Sequence, residues 1–97
     1  MSSDKKEIYR DRKFRRREGV FSEELEGEII LFDSRTKNTY VLNQIAGVIW
    51  DLCDGENTPA QISLEISSVL NVDSEVVLND VLNTIGYMLE KGLVEVE

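Results

Sequence analysis

Few of the residue types that do chemistry are present. The 97-residue chain has no histidine and one cysteine, Cys53. It therefore offers no imidazole base and no imidazole metal ligand. A lone thiol makes neither an intramolecular disulfide nor a cysteine-based zinc cluster. Cys53 falls on the apolar side of a helical pattern with Ile45, Val48, Ile49 and Leu52, so a small buried hydrophobe is expected there and not a nucleophile. The nineteen carboxylates are scattered among turns and polar helix positions. The glycines mark turns and helix ends, and no glycine-rich phosphate loop is present. No catalytic residue, no metal site and no cofactor is assigned. The expectation is a small binding module and not an enzyme.

Composition bounds the class. Hydrophobic residues make up 41% and charged residues 31% of the chain, a globular balance and not a disordered one. The length suits one domain. No apolar run reaches the roughly 18 residues of a membrane span, the N-terminus is polar, and one unpaired cysteine fits a reducing, cytoplasmic setting.

Charge divides the chain in two. Residues 1–17 hold eight basic residues against three acids, a net +5, and residues 18–97 hold three against sixteen, a net −13. Residues 1–17 are read as a basic N-terminal arm, solvated or partly ordered against the acidic body, and residues 18–97 as the domain. An arginine-rich arm gives nucleic-acid binding as the alternative reading, with salt-sensitive affinity. The third helix speaks against it. That helix begins Asp73-Ser74-Glu75, carries Asp80 and Glu90, and has Lys91 as its one basic residue. It would repel phosphates where a reading helix must attract them.

The elements follow from periodicity. Gly19–Glu24 alternates weakly, Glu28–Asp33 contains the apolar run Ile29-Ile30-Leu31-Phe32, and Thr39–Leu42 forms a third extended piece. The short polar turns between them predict an antiparallel meander. The period then changes to 3.6. Asn43 is the expected cap of a first helix, closed by Asp54-Gly55. Thr58, Pro59 and Gln61 start a second helix through a capping box with proline at the first position, and Ile62, Ile66, Val69 and Leu70 form its stripe. Asp73 caps a third helix carrying Val77, Leu78, Val81, Leu82, Ile85, Met88 and Leu89, with Gly92 and Leu93 at its end. The fold class is α+β and winged-helix-like: a three-stranded antiparallel sheet followed by a three-helix cluster, with Leu93–Val96 as a terminal extended piece.

One stretch carries a resemblance. Tyr40-Val41-Leu42-Asn43, Ala46, Ile49-Trp50, Leu52, Asp54-Gly55, Thr58, Ile62 and Asp80-Val81, within roughly residues 19–96, resemble the PqqD family. That family is named for pyrroloquinoline quinone biosynthesis and includes peptide-recognition domains of ribosomal-peptide modification systems. The resemblance implies a domain that does no chemistry itself. It would bind the leader of a precursor peptide and present it to a modifying enzyme, often a radical S-adenosylmethionine protein. The peptide would add as a strand beside the third β-segment, in a groove walled by the third helix. On this chain that implies Thr39, Tyr40, Val41 and Leu42 on the strand and Val77, Val81, Thr84 and Met88 on the helix. Asn43, Asp54, Gly55 and Thr58 match too, and are read as caps and a turn. A free edge strand also admits self-pairing, so the expected state is a monomer or a homodimer.

Overall fold

The computed structural model describes residues 9–97. Lys5 and Lys6 of the basic arm lie outside the described residues. In chain order the elements are β1 (Phe14–Arg16), β2 (Val20–Leu25), β3 (Glu28–Asp33), β4 (Asn38–Leu42), α1 (Gln44–Leu52), α2 (Pro59–Leu70), α3 (Ser74–Glu90) and β5 (Val94–Val96).

The expected meander forms a three-stranded antiparallel sheet in the order β2-β3-β4. Its first connection is two residues, Glu26 and Gly27, both at positive φ (51° and 84°). This mirror-image turn matches the twist of the flanking strands, and the glycine takes its conformation without steric cost. Period-2 alternation then sorts the side chains. Val20, Leu31 and Leu42 point into the core, while Phe21, Phe32 and Val41 point outward. Register fixes the neighbours: Phe21 stands opposite Phe32, Leu31 opposite Tyr40, and Ile30 opposite Val41.

Local chemistry sets each helix start. Asn43 Oδ1 accepts from the Ala46 amide at 2.8 Å. At α2, Thr58 Oγ1 accepts from the Gln61 amide at 3.2 Å, and Gln61 Oε1 accepts from the Thr58 amide at 2.8 Å. Asp73 Oδ1 accepts from the Glu75 amide at 3.0 Å. Helix α3 ends in a Schellman arrangement: Leu93 N–H donates to Met88 C=O at 2.8 Å and Gly92 N–H to Leu89 C=O at 3.1 Å. This turn aims the chain back along the molecule into β5.

The core gathers Leu31, Ile49, Ile62, Val81, Ile85, Met88, Leu93 and Val94 beneath the sheet. Two expected helix faces are corrected. In α1 the inward residues are Gly47, Ile49 and Trp50, with Cys53 following, whereas Ile45 and Val48 are exposed. In α2 the buried stripe is Pro59, Ile62, Ser63 and Ile66. It stops there, leaving Val69 (80% exposed) and Leu70 in solvent. Helical spacing placed these side chains on an apolar stripe, but the neighbouring elements cover only part of its width.

The larger departure concerns the arm. Residues 14–16 form β1, antiparallel to β5, with Phe14 opposite Val96 and Arg16 opposite Val94. Phe14 is fully buried, and the Tyr9 ring meets it edge-on at 5.7 Å between centroids. Cationic residues around Phe14 hid this anchor, because basic composition reads as a solvated tail.

Candidate functional site

Sheet order leaves β4 with a neighbour on one side only. Along its outer edge, alternate backbone N–H and C=O groups have no ladder partner. The strand's residues are Asn38, Thr39, Tyr40, Val41 and Leu42, with no charge among them. The opposite edge, β2, carries Glu23 and Glu24, and Glu26 follows in the turn. Charges along an edge disfavour pairing with another chain. The sheet thus has one edge guarded by carboxylates and one edge open.

A cleft of about 300 Å³ lies along the open edge, lined by Val41, Leu42, Asn43, Ala46, Asn83, Thr84 and Tyr87. Each wall has a local cause. Val41 faces outward by strand alternation and is 59% exposed. Asn43 serves both as the α1 cap and as cleft lining, which brings α1's first turn against the groove. Gly47, one residue beyond Ala46, lies against Ile29 of β3: a Cβ added there would clash with Ile29 Cγ1. Only glycine permits this approach of α1 to the sheet. Tyr87 is 43% exposed, and the Lys91 ammonium stands 5.8 Å from its ring centroid. The lining holds no ionisable carboxylate, amine or guanidinium, and its polar groups are amides, a hydroxyl and a phenol.

Three of the expected site residues, Val41, Leu42 and Thr84, meet in this cleft. Thr39 sits on the outer sheet face, and Tyr40 is half-buried against the core. Val77, Val81 and Met88, expected on the groove wall, are core residues. Their helix packs against α1, α2 and β5. The wall is built instead by Asn83, Thr84 and Tyr87, one step around the helix. Asn83 and Tyr87 share the i, i+4 relation that places them on one side. That spacing is visible in the chain, but neither residue belongs to the apolar stripe that periodicity marks.

A second cleft of about 260 Å³ between α1 and α2 is lined by Ile45, Val48, Leu52, Glu65, Ile66, Val69 and Leu70. It offers apolar surface with no strand edge.

Several charged groups elsewhere are engaged within the chain. The Asp33 carboxylate, fully covered, accepts from Arg35 Nη2 at 2.7 Å and Nε at 3.0 Å. Arg35 Nη2 also donates to Gly92 C=O at 2.8 Å, tying the β3–β4 turn to the end of α3. The Arg35 hydrogen bonds, outweighing desolvation, hold the Asp33 carboxyl below its ordinary pKa. Arg15 and Arg17 reach Glu95 at 2.7 and 3.9 Å, and Arg10 reaches Glu75 at 3.7 Å. Arg16 lies over Trp50 at 5.3 Å and donates to the carbonyls of Trp50 and Asp51, at the negative end of α1. These arginines are engaged by acceptors of the fold itself, and nothing here favours nucleic-acid binding. Cys53 is fully buried, and desolvation pushes its thiol up to about 12. Among the described residues no cluster of three His, Cys, Asp or Glu could hold a metal ion, and no helix is long and apolar enough to cross a membrane.

Fold and site together define a small α+β domain with one open, uncharged strand edge beside a helix-walled cleft. The chain belongs to the PqqD family: the family model described as Coenzyme PQQ synthesis protein D (PqqD) matches residues 28–94. Three solved structures share its fold. One is TbiB1 in complex with the TbiA(beta) leader peptide, at 23% identity and TM-score 0.75, covering 84% of this chain and 94% of that one. Another is lasso peptide synthetase B1 complexed with the leader peptide, at 20% identity and TM-score 0.76, covering 86% and 98%. A third is the PqqD truncation of Methylobacterium extorquens PqqCD, described as a stand-alone recognition element for ribosomally synthesized and post-translationally modified peptides, at 24% identity and TM-score 0.73, covering 84% and 87%. No curated protein matches the sequence.

Proposed function

We propose that this protein is a non-catalytic adaptor that binds the leader of a ribosomally made precursor peptide by strand addition to β4 and presents it to a modifying enzyme. The observation that carries this reading is the asymmetry of the sheet, open at uncharged β4 and guarded by Glu23 and Glu24 at β2. Backbone pairing supplies affinity with little regard to sequence, and side-chain pockets supply selectivity. The uncharged lining from Val41, Asn83, Thr84 and Tyr87 favours leaders that turn apolar or neutral polar side chains toward α3. Family membership and neighbours solved with leader peptides support the reading. The enzyme partner is of the radical S-adenosylmethionine class, as the family resemblance implies. A chain whose one thiol is buried suits a reducing cytoplasm.

The test is a titration of 15N-labelled protein with leader peptides from neighbouring reading frames. Amide shifts concentrated at Thr39–Leu42 and at Asn83–Tyr87 are expected. Val41→Pro removes a backbone donor and stiffens the strand, so a folded Val41→Pro protein should lose most of its leader affinity. Full affinity in that variant would sink strand addition.

A further inference from the structure

The outer face of the sheet is apolar, and none of the described elements packs over it. Phe21 is 62% exposed and Phe32 39%, and register sets them directly opposite each other. Ile30 and Val41 form the next cross-strand pair on the same face. Monomeric domains rarely leave clustered aromatic and aliphatic side chains in water, and such a patch marks an interaction surface. Its border is acidic. Glu23 stands opposite Ile30 and Glu28 opposite Leu25, and Glu24 and Glu26 complete the hairpin. Among the described residues none of these four carboxylates has an ion-pair partner. No lysine or arginine occurs between Gly19 and Ser34.

That charge selects the occupant. A second copy would set four carboxylates against four, and like charges across an interface are costly. An anionic membrane surface or a nucleic acid would be repelled in the same way. We propose that this face docks a protein surface with an apolar centre bordered by lysines and arginines, and that its owner is the enzyme that modifies the leader. The proposal rests on the adaptor reading. Val41 joins the face to the β4 cleft, so an enzyme seated there lies beside the bound peptide. Phe21 and Phe32 are the anchors, and the carboxylates steer encounter and set orientation.

The test uses the full chain and the purified modifying enzyme encoded beside it, with and without leader, at low and high salt. A Phe21→Ser, Glu23→Lys double variant changes only exposed side chains, and its amide spectrum reports folding. It should bind the enzyme roughly tenfold or more weakly at low salt, while Val69→Ser on α2 keeps wild-type affinity. Wild-type association should weaken as salt rises. Leader shifts at β4 are read in the same samples, so the docking proposal and the strand-addition reading fail separately. Wild-type affinity in the folded double variant would overturn the docking proposal. So would an equal loss in Val69→Ser, salt-independent association, or no association at low salt.

Discussion

Asp33 shows how a covered charge works in this fold. Its carboxylate lies beneath the β3–β4 turn, held by two Arg35 hydrogen bonds, and Arg35 reaches on to the end of α3. Because its pKa is lowered in the folded state, the ionised form favours folding. This contribution is present above the ordinary carboxylate pKa, near 3.8, and is lost as pH falls through the lower folded value. Asp33→Asn keeps the shape and removes the charge. It should lower Tm near neutral pH and flatten the acid-side fall in stability, as thermal melts across the acidic range would record. Cys53 behaves oppositely. Burial raises its pKa and keeps the thiol neutral within the core.

At the scale of elements, the cleft depends on how closely α1 approaches β3. Gly47 permits that approach, since a methyl group there would overlap Ile29. Gly47→Ala should destabilise the protein by about 1–3 kcal/mol through overpacking. It should also weaken leader binding, because α1 carries Asn43 and Ala46 into the cleft wall. Urea unfolding and the leader titration measure the two effects. A variant that loses stability yet binds leader like wild type would show that the cleft tolerates movement of α1.

Across the whole molecule, residues 14–17 are structural. Phe14 fills the core, β1 pairs with β5, and Arg15, Arg16 and Arg17 bind Glu95 and the end of α1. Phe14→Ala should cost about 3–5 kcal/mol. Against the ~5–15 kcal/mol stability of a typical domain, this is a large share. The variant should melt far below wild type by circular dichroism. Deleting residues 1–17 should leave a chain that does not fold stably, although the three-stranded sheet and all three helices lie within 18–97. A deletion variant with wild-type Tm would show that β1 is dispensable.

The helices and the meander were legible in the sequence because their signals are local. The Thr58-Pro59-Gln61 start, the caps at Asn43 and Asp73, and the apolar run through Glu28–Asp33 each act over a few residues, and each formed as expected. The scarcity of nucleophile and base types is a matter of composition alone, since the chain has no histidine and one cysteine. Packing decided the rest. Helical spacing defines an apolar stripe but not which part of it neighbours cover. Val77, Val81 and Met88 therefore went to the core, and Asn83 and Tyr87 to the cleft. Pairing between β1 and β5 joins residues about 80 apart in sequence. No local pattern encodes such a contact, because it forms only once Gly92 and Leu93 have turned the end of α3 back onto Phe14.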